Sequence, residues 1–284
     1  MSKRIGLLTR NLLLYGAVLA VCLWSIVPFV WMISGSFKDR GEIFTWPPVL
    51  IPRQPTFHGY QQLAGEAMFA GVGYVNFLLN SLSVAVATSF VVVAFASLAA
   101  YGMSRFRYRG STALKYTILF SQMLPGALLL LPLYLFMRDV KLLDTLRALV
   151  IVYVAFGLPY NTYIIKGYLD SIPHELDEQA MIDGCGRFEA LVKVVLPVAG
   201  PGLAATTISA FITGWNEFMF ALVFLNTYRK WTMPLALSTF RAQYLVQWGY
   251  LFAGSTLVTL PVIALFLVLQ RHLASGLVAG AMNK

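Results

Sequence analysis

Charged residues are scarce in this sequence: 12% of its 284 positions are Asp, Glu, Lys or Arg, against 58% hydrophobic. A soluble domain of that balance would lack the polar surface to cover its own core, so the bilayer is the expected solvent. The mean hydropathy of +0.72 agrees. Acids are scarcer than bases, twelve against 21, and the net charge is +9. The bases stand in short clusters beside apolar runs rather than along one face, which is a membrane-topology pattern and argues against nucleic-acid binding. Cysteine is nearly absent. Cys22 lies in an apolar run and Cys185 in a charged loop, which argues against a disulfide between them, and neither has zinc-ligand spacing. The three histidines, His58, His174 and His272, fall in separate loops and the tail, without the helical spacing of metal ligands that a membrane-embedded enzyme would need. No Gly-x-x-x-x-Gly-Lys-Ser/Thr string occurs, so the chain lacks the phosphate-cradling loop of an ATPase.

What is present in abundance is long apolar sequence. A spanning helix needs about 20 predominantly apolar residues. Six windows qualify, at about Leu12–Ser34, Phe77–Tyr101, Tyr116–Met137, Ala148–Ile165, Pro201–Leu225 and Leu251–Leu269. The first follows Lys3, Arg4 and Arg10 as a signal peptide would. Val21 before Cys22 is not the small residue that cleavage prefers, and the run is long enough to span, so it is read as a retained helix. Six spans form an all-α polytopic membrane protein with both termini on one side. Twelve Lys and Arg fall on that side and nine on the other, and the tight cluster Arg105–Arg109 abuts a helix end, which assigns the termini to the cytoplasm. The chain divides into residues 1–76, a helix and an extracytoplasmic loop, and 77–284, a five-span core with a tail from about 270. Pro47, Pro48, Pro52 and Pro55 predict an extended cover with short turns for the first long loop.

The second long loop, about 166–197, carries half of the chain's twelve acids. Ser171, Pro173 and the acids Glu175, Asp177 and Glu178 predict a short helix starting near Pro173. Asp183-Gly184 should stop it, because glycine takes the left-handed conformation that closes a helix. A second helix from Arg187 to about Leu196 should end before Pro197, which cannot continue the hydrogen bonding. The product is an elbow on the membrane surface, and on composition alone it could simply lie on the headgroups.

The string Glu178-Gln179-Ala180-Met181-Ile182-Asp183-Gly184, followed after nine residues by Val194-Val195-Leu196-Pro197, resembles the EAA loop of binding-protein-dependent ABC importer permeases. Every fixed spacing of that pattern matches, and Gln179 replaces its first alanine. The resemblance implies the type I importer permease fold, with the elbow as a coupling helix in a groove of a separate ATPase subunit. It implies coupling roles for Glu178, Gln179, Ala180, Asp183, Gly184, Arg187 and Phe188. The implied partners are a second, related permease, two cytoplasmic ATPase subunits and an extracellular solute-binding protein. ATP and magnesium would sit on the ATPase, and this chain would bind no cofactor. Ser36-Phe37-Lys38, Pro55–Tyr60, Asn80-Ser81, and Ala100-Tyr101 with Arg105-Phe106 are similar to the sugar branch of maltose type. Gln270-Arg271, Gly276-Leu277 and Gly280-Ala281 are similar to its second permease subunit. The family's terminal Lys-Gly is here Asn283-Lys284, which leaves any tail contact with the ATPase open.

Within the fifth window stands Trp215-Asn216-Glu217. An acid at that depth faces protein or a water-filled path, so Glu217 either contacts cargo or makes a structural hydrogen bond to a neighbouring helix. Gln122, Tyr160 and Asn161 are further polar or aromatic candidates for a sugar path, and Pro125, Pro132 and Pro159 are candidate kinks. A glycerol phosphate importer of the same branch would want bases in the path, and no window has Lys or Arg near its middle. An ion-coupled secondary transporter using Glu217 is the alternative from another class, but no inverted duplication of the spans is evident.

Overall fold

The computed structural model describes the backbone of residues 2–65, 71–240 and 246–282, with side chains described between 10 and 273 of these. The regular elements are helical among the described residues. They are α1 (Ser2–Ser36), α2 (Arg40–Ile43), α3 (His58–Ala64), α4 (Tyr74–Arg105), α5 (Ser111–Ser121), α6 (Leu130–Asp139) and α7 (Leu146–Asp170). There follow α8 (Glu175–Ile182), α9 (Arg187–Ala190), a π turn (Leu191–Val195), α10 (Leu196–Val198), α11 (Gly200–Asn216), α12 (Met219–Phe224), α13 (Met233–Ser238) and α14 (Trp248–Met282). Four helices are long and apolar enough to cross a membrane alone: α1, α4, α7 and α14. Two bent pairs raise the number to six if each is one span: residues 111–121 with 126–139, bent by 88°, and 187–198 with 200–216, bent by 85°.

The third and fifth windows are therefore not the unbroken helices that apolar counting predicts. The third stops at Gln122 and restarts through a 3₁₀ turn at Gly126–Leu129, because Pro125 supplies no amide hydrogen and holds an extended backbone. Pro132 and Pro159 lie within α6 and α7 without ending them. The fifth stops at Asn216, has Glu217 in extended conformation, and restarts as α12.

The chain forms two compact units, Met1–Met68 with Leu237–Thr259, and Phe69–Ala236 with Leu260–Lys284. In the first, the loop after α1 contains α2 and α3 where the prolines predicted mainly extended chain. The motif residues meet there: Thr56 N–H donates to Phe37 O at 2.8 Å, and the Ser36 and Tyr60 hydroxyls are 2.7 Å apart. The Lys38 ammonium lies 4.6 Å from the Trp31 ring centre and donates to Val49 O.

In the second unit α4, α7 and α11 pack as a three-helix core. Val84 shares an apolar cluster with Leu149 and Tyr153, while Ala96 and Ala100 share another with Ile165 and Leu169, so α4 and α7 run parallel. At Gly202 a Cβ would lie 2.7 Å from the Tyr168 ring, so only glycine allows α11 to approach α7 this closely.

Candidate coupling loop and translocation path

The elbow closes as the sequence predicts at its first helix and departs at its second. Gly184 has φ +90°, its N–H donates to Met181 O at 3.1 Å, and Cys185 N–H donates to Ala180 O at 3.0 Å. That pair of bonds is the Schellman closure, which glycine permits without a β-carbon penalty. The Glu189 carboxylate then accepts from Gly186 N–H at 3.0 Å and opens α9. Pro197 does not end this second helix. A π turn over Leu191–Val195 precedes it and the helix continues to Val198, because a wider turn accommodates a residue that lacks a donor.

Glu178, Gln179, Asp183, Gly184, Arg187 and Phe188 all face outward. Between them Ile182 is 84% exposed and Phe188 66%. Ala180 is buried, so the close approach that its small side chain permits is to its own chain and not to a partner.

One acid of the elbow is not on the surface. Asp177 is an ion-pair partner of Arg105, Oδ2 to Nε 2.8 Å, and both side chains are more than nine-tenths buried. Tyr101 O–H donates to Asp177 Oδ1 at 2.8 Å, and Arg105 Nη1 donates to Leu169 O at 3.1 Å. Ser104 O–H donates to Asp170 Oδ1 at 2.8 Å. The Arg187 guanidinium stacks 5.1 Å above the Phe106 ring, which itself meets Tyr101 edge-on. Sequence reasoning assigned Asp177 to the helix dipole. The available signal was the spacing of Tyr101 and Arg105, which share one face of α4.

The path candidates divide into buried and exposed residues. Trp215 is buried and stacked on Phe211, ring centres 5.5 Å apart. Asn161 is buried, with Nδ2 donating to Gly157 O at 2.8 Å. The packing of α4, α7 and α11 covers both, so neither opens onto a path within this chain. Tyr160, Asn216 and Gln122 are exposed. Glu217 is half-buried and caps α12: Phe220 N–H donates to Oε1 at 2.8 Å, Ala221 N–H to Oε2 at 3.2 Å, and the Tyr153 hydroxyl donates to Oε2. Tyr153 was indistinguishable in sequence from any core aromatic.

A further carboxylate, which the sequence did not single out, organises a loop. Asp144 accepts from Asn226 N–H at 2.9 Å, Thr227 N–H at 3.0 Å, Thr227 O–H at 2.7 Å and the Lys230 ammonium at 2.8 Å. Burial opposes its ionisation, but these donors outweigh burial and hold the carboxyl well below its ordinary range.

Residues 92–278 match the family described as "Binding-protein-dependent transport system inner membrane component". The chain belongs to this family. It is thus a multi-pass inner-membrane permease of an ABC importer, a transport subunit, and the ion-coupled reading of Glu217 falls. The permease is 33% identical over 279 residues to the trehalose/maltose transport system permease protein MalG of Thermococcus litoralis, covering 97% of this chain and 98% of that one. It is 33% identical to the diacetylchitobiose uptake system permease protein DasC of Streptomyces coelicolor, covering 91% and 92%. In fold it matches a chain from the crystal structure of a bacterial ABC transporter involved in the import of the acidic polysaccharide alginate. That match has a TM-score of 0.77 at 23% identity, over 95% of this chain and 97% of that one.

Proposed function

We propose that this permease forms half of the membrane path of an ATP-driven sugar importer. It works beside a second, different permease and receives cargo from an extracellular solute-binding protein. Its elbow rests on one of two cytoplasmic ATPase subunits, which bind the ATP and magnesium. The observation that carries this reading is the outward face of the first elbow helix, where Ile182 is 84% exposed one turn from the exposed Glu178 and next to the exposed Asp183. An apolar anchor among charges suits a fitted protein groove. Both termini lie in the cytoplasm in this reading, with the Arg105–Arg109 cluster and the elbow.

A neutral sugar is favoured because the relatives' names specify trehalose/maltose and diacetylchitobiose. The absence of Lys and Arg from the middles of α4, α7 and α11 also disfavours glycerol phosphate. The exposed Gln122, Tyr160 and Asn216 supply amide and aromatic groups for such cargo, and the partner permease completes the path.

A cysteine placed at Gln179 should crosslink to the ATPase in the assembled transporter; failure at both Gln179 and Arg187 in an intact complex refutes the docking. Reporter fusions at Lys115 and Arg229 should report opposite sides of the membrane, and the same side for both refutes the topology. Proteoliposomes offered radiolabelled trehalose, maltose, diacetylchitobiose and glycerol 3-phosphate should accumulate one of the sugars, and uptake of the phosphate alone refutes the cargo class.

A further inference from the structure

Two of the three core helices are joined to the elbow by the chain itself. α7 leads into α8 through residues 171–174, and α9 continues through the π turn and α10 into α11. α4 is not. It ends at Arg105, far from the elbow in sequence, so it can follow the elbow only through side-chain contacts. Part of that contact is apolar, where Ala96, Ala100 and Tyr101 pack with Leu191 and Val195. Apolar contact is non-directional and tolerates sliding. Among the described residues two contacts involve charge. Asp177 of α8 is ion-paired with Arg105 and accepts a hydrogen bond from Tyr101, and Arg187 of α9 lies on Phe106.

We propose that Tyr101, Arg105 and Phe106 are the receiving half of the coupling joint, and that the buried Asp177–Arg105 pair transmits elbow movement to α4. This rests on the reading of the elbow as the ATPase contact. An ion pair taken out of water resists separation far more than an exposed one, because each partner would be left as an uncompensated buried charge. It therefore moves as a rigid link. α4 in turn packs along both α7 and α11, so a shift delivered at Arg105 reaches the helices that carry Asn161 and Trp215. Asp177 and Arg105 are positioning residues in this scheme. Neither touches cargo or nucleotide.

The test uses the complete transporter in proteoliposomes, with the crosslink at Gln179 reporting elbow contact. A purely structural role for Asp177 would reduce the amount of assembled complex, lowering import and ATP hydrolysis in proportion. A transmitting role raises the ATP hydrolysed per sugar imported. Asp177→Asn should keep the crosslink and raise that ratio by about fivefold or more, the lower end of measured coupling between sites. Asp177→Glu should return it towards the unaltered value. Tyr101→Phe removes one hydroxyl from the same carboxylate and should raise the ratio in the same direction by a smaller factor, which decides the matter should Asp177→Asn fail to assemble.

A second readout needs no cargo. In a Cys22→Ser, Cys185→Ser background, Ser83→Cys on the exposed side of α4 should label at different rates in the nucleotide-free and vanadate-trapped states. Asp177→Asn should abolish that difference. An unchanged ratio in both variants, or no nucleotide response at position 83 in the unaltered complex, overturns the proposal while leaving the docking of the elbow intact. Loss of the Gln179 crosslink in the unaltered complex overturns the docking reading itself.

Discussion

Replacing Glu217 by glutamine separates the two roles open to this residue. Its carboxylate accepts from Phe220 N–H, Ala221 N–H and the Tyr153 hydroxyl. A hydrogen bond to a charged group contributes about 1.5–3 kcal/mol. Glutamine keeps one acceptor oxygen and turns a donor towards one of these three donors, so at least one bond is lost and another weakened, giving about 2–4 kcal/mol in all. Tyr153→Phe removes one bond and leaves the cap of α12 in place, for about 1.5–3 kcal/mol. Because both changes break the same contact, the double variant should lose less than the sum by about 1 kcal/mol or more. Unfolding of the purified transporter in detergent, monitored for all three variants, gives the cycle. Radiolabelled uptake run alongside should show lowered import in proportion to folded protein, with half-saturation unchanged. If Glu217→Gln leaves stability untouched and raises only the half-saturation concentration, the carboxylate contacts cargo and the capping account is wrong.

Gly184→Val should leave the protein membrane-inserted but lower transport and stimulated ATP hydrolysis together, since a β-carbon at φ +90° costs roughly 1 kcal/mol or more; unaltered import by an assembled variant refutes the role of that turn. Asp144 has a folded pKa below its unfolded value. Its clasp on Asn226 and Thr227 therefore contributes fully above the ordinary carboxylate range and is lost only as pH falls on through the depressed folded value. Hydrogen-exchange protection of those two amides should fall on acidification, and Asp144→Asn should remove that dependence. Gly202→Ala should destabilise the second unit by about 1–3 kcal/mol through its clash with Tyr168, and an unchanged melting temperature contradicts that.

The long helices were legible because hydropathy over some twenty residues is a strong signal. Gly184 was legible because one residue type closes a helix this way. The break at Glu217 was not, since an apolar count does not register where a hydrogen-bond ladder stops, and Phe218–Leu225 reads as more of the same span. The second elbow helix misled for the opposite reason. Pro197 is a reliable terminator of an α ladder, and the π turn that accommodates it leaves no mark in composition. Asp177 could not be told from Glu175 and Glu178, because all three suit a first turn and only the partner helix α4 distinguishes the buried one. The burial of Trp215 and Asn161 and the exposure of Tyr160 and Gln122 were hidden for the same reason. Polar type predicts a need for partners and is silent on which way a helix is rotated.

The π turn at Leu191–Val195 has a consequence for how such loops change over evolutionary time. It holds one residue more than an α-helix of the same rise requires. A single deletion there would restore the ordinary ladder and, because the wide turn absorbs its extra residue locally, would leave Arg187 and Phe188 aimed nearly as before. The ring of Pro197 would then meet the carbonyl four residues before it. The length of this segment is thus fixed by the proline behind it. Substitutions can accumulate in the turn, but loss of its extra residue cannot be tolerated while Pro197 remains.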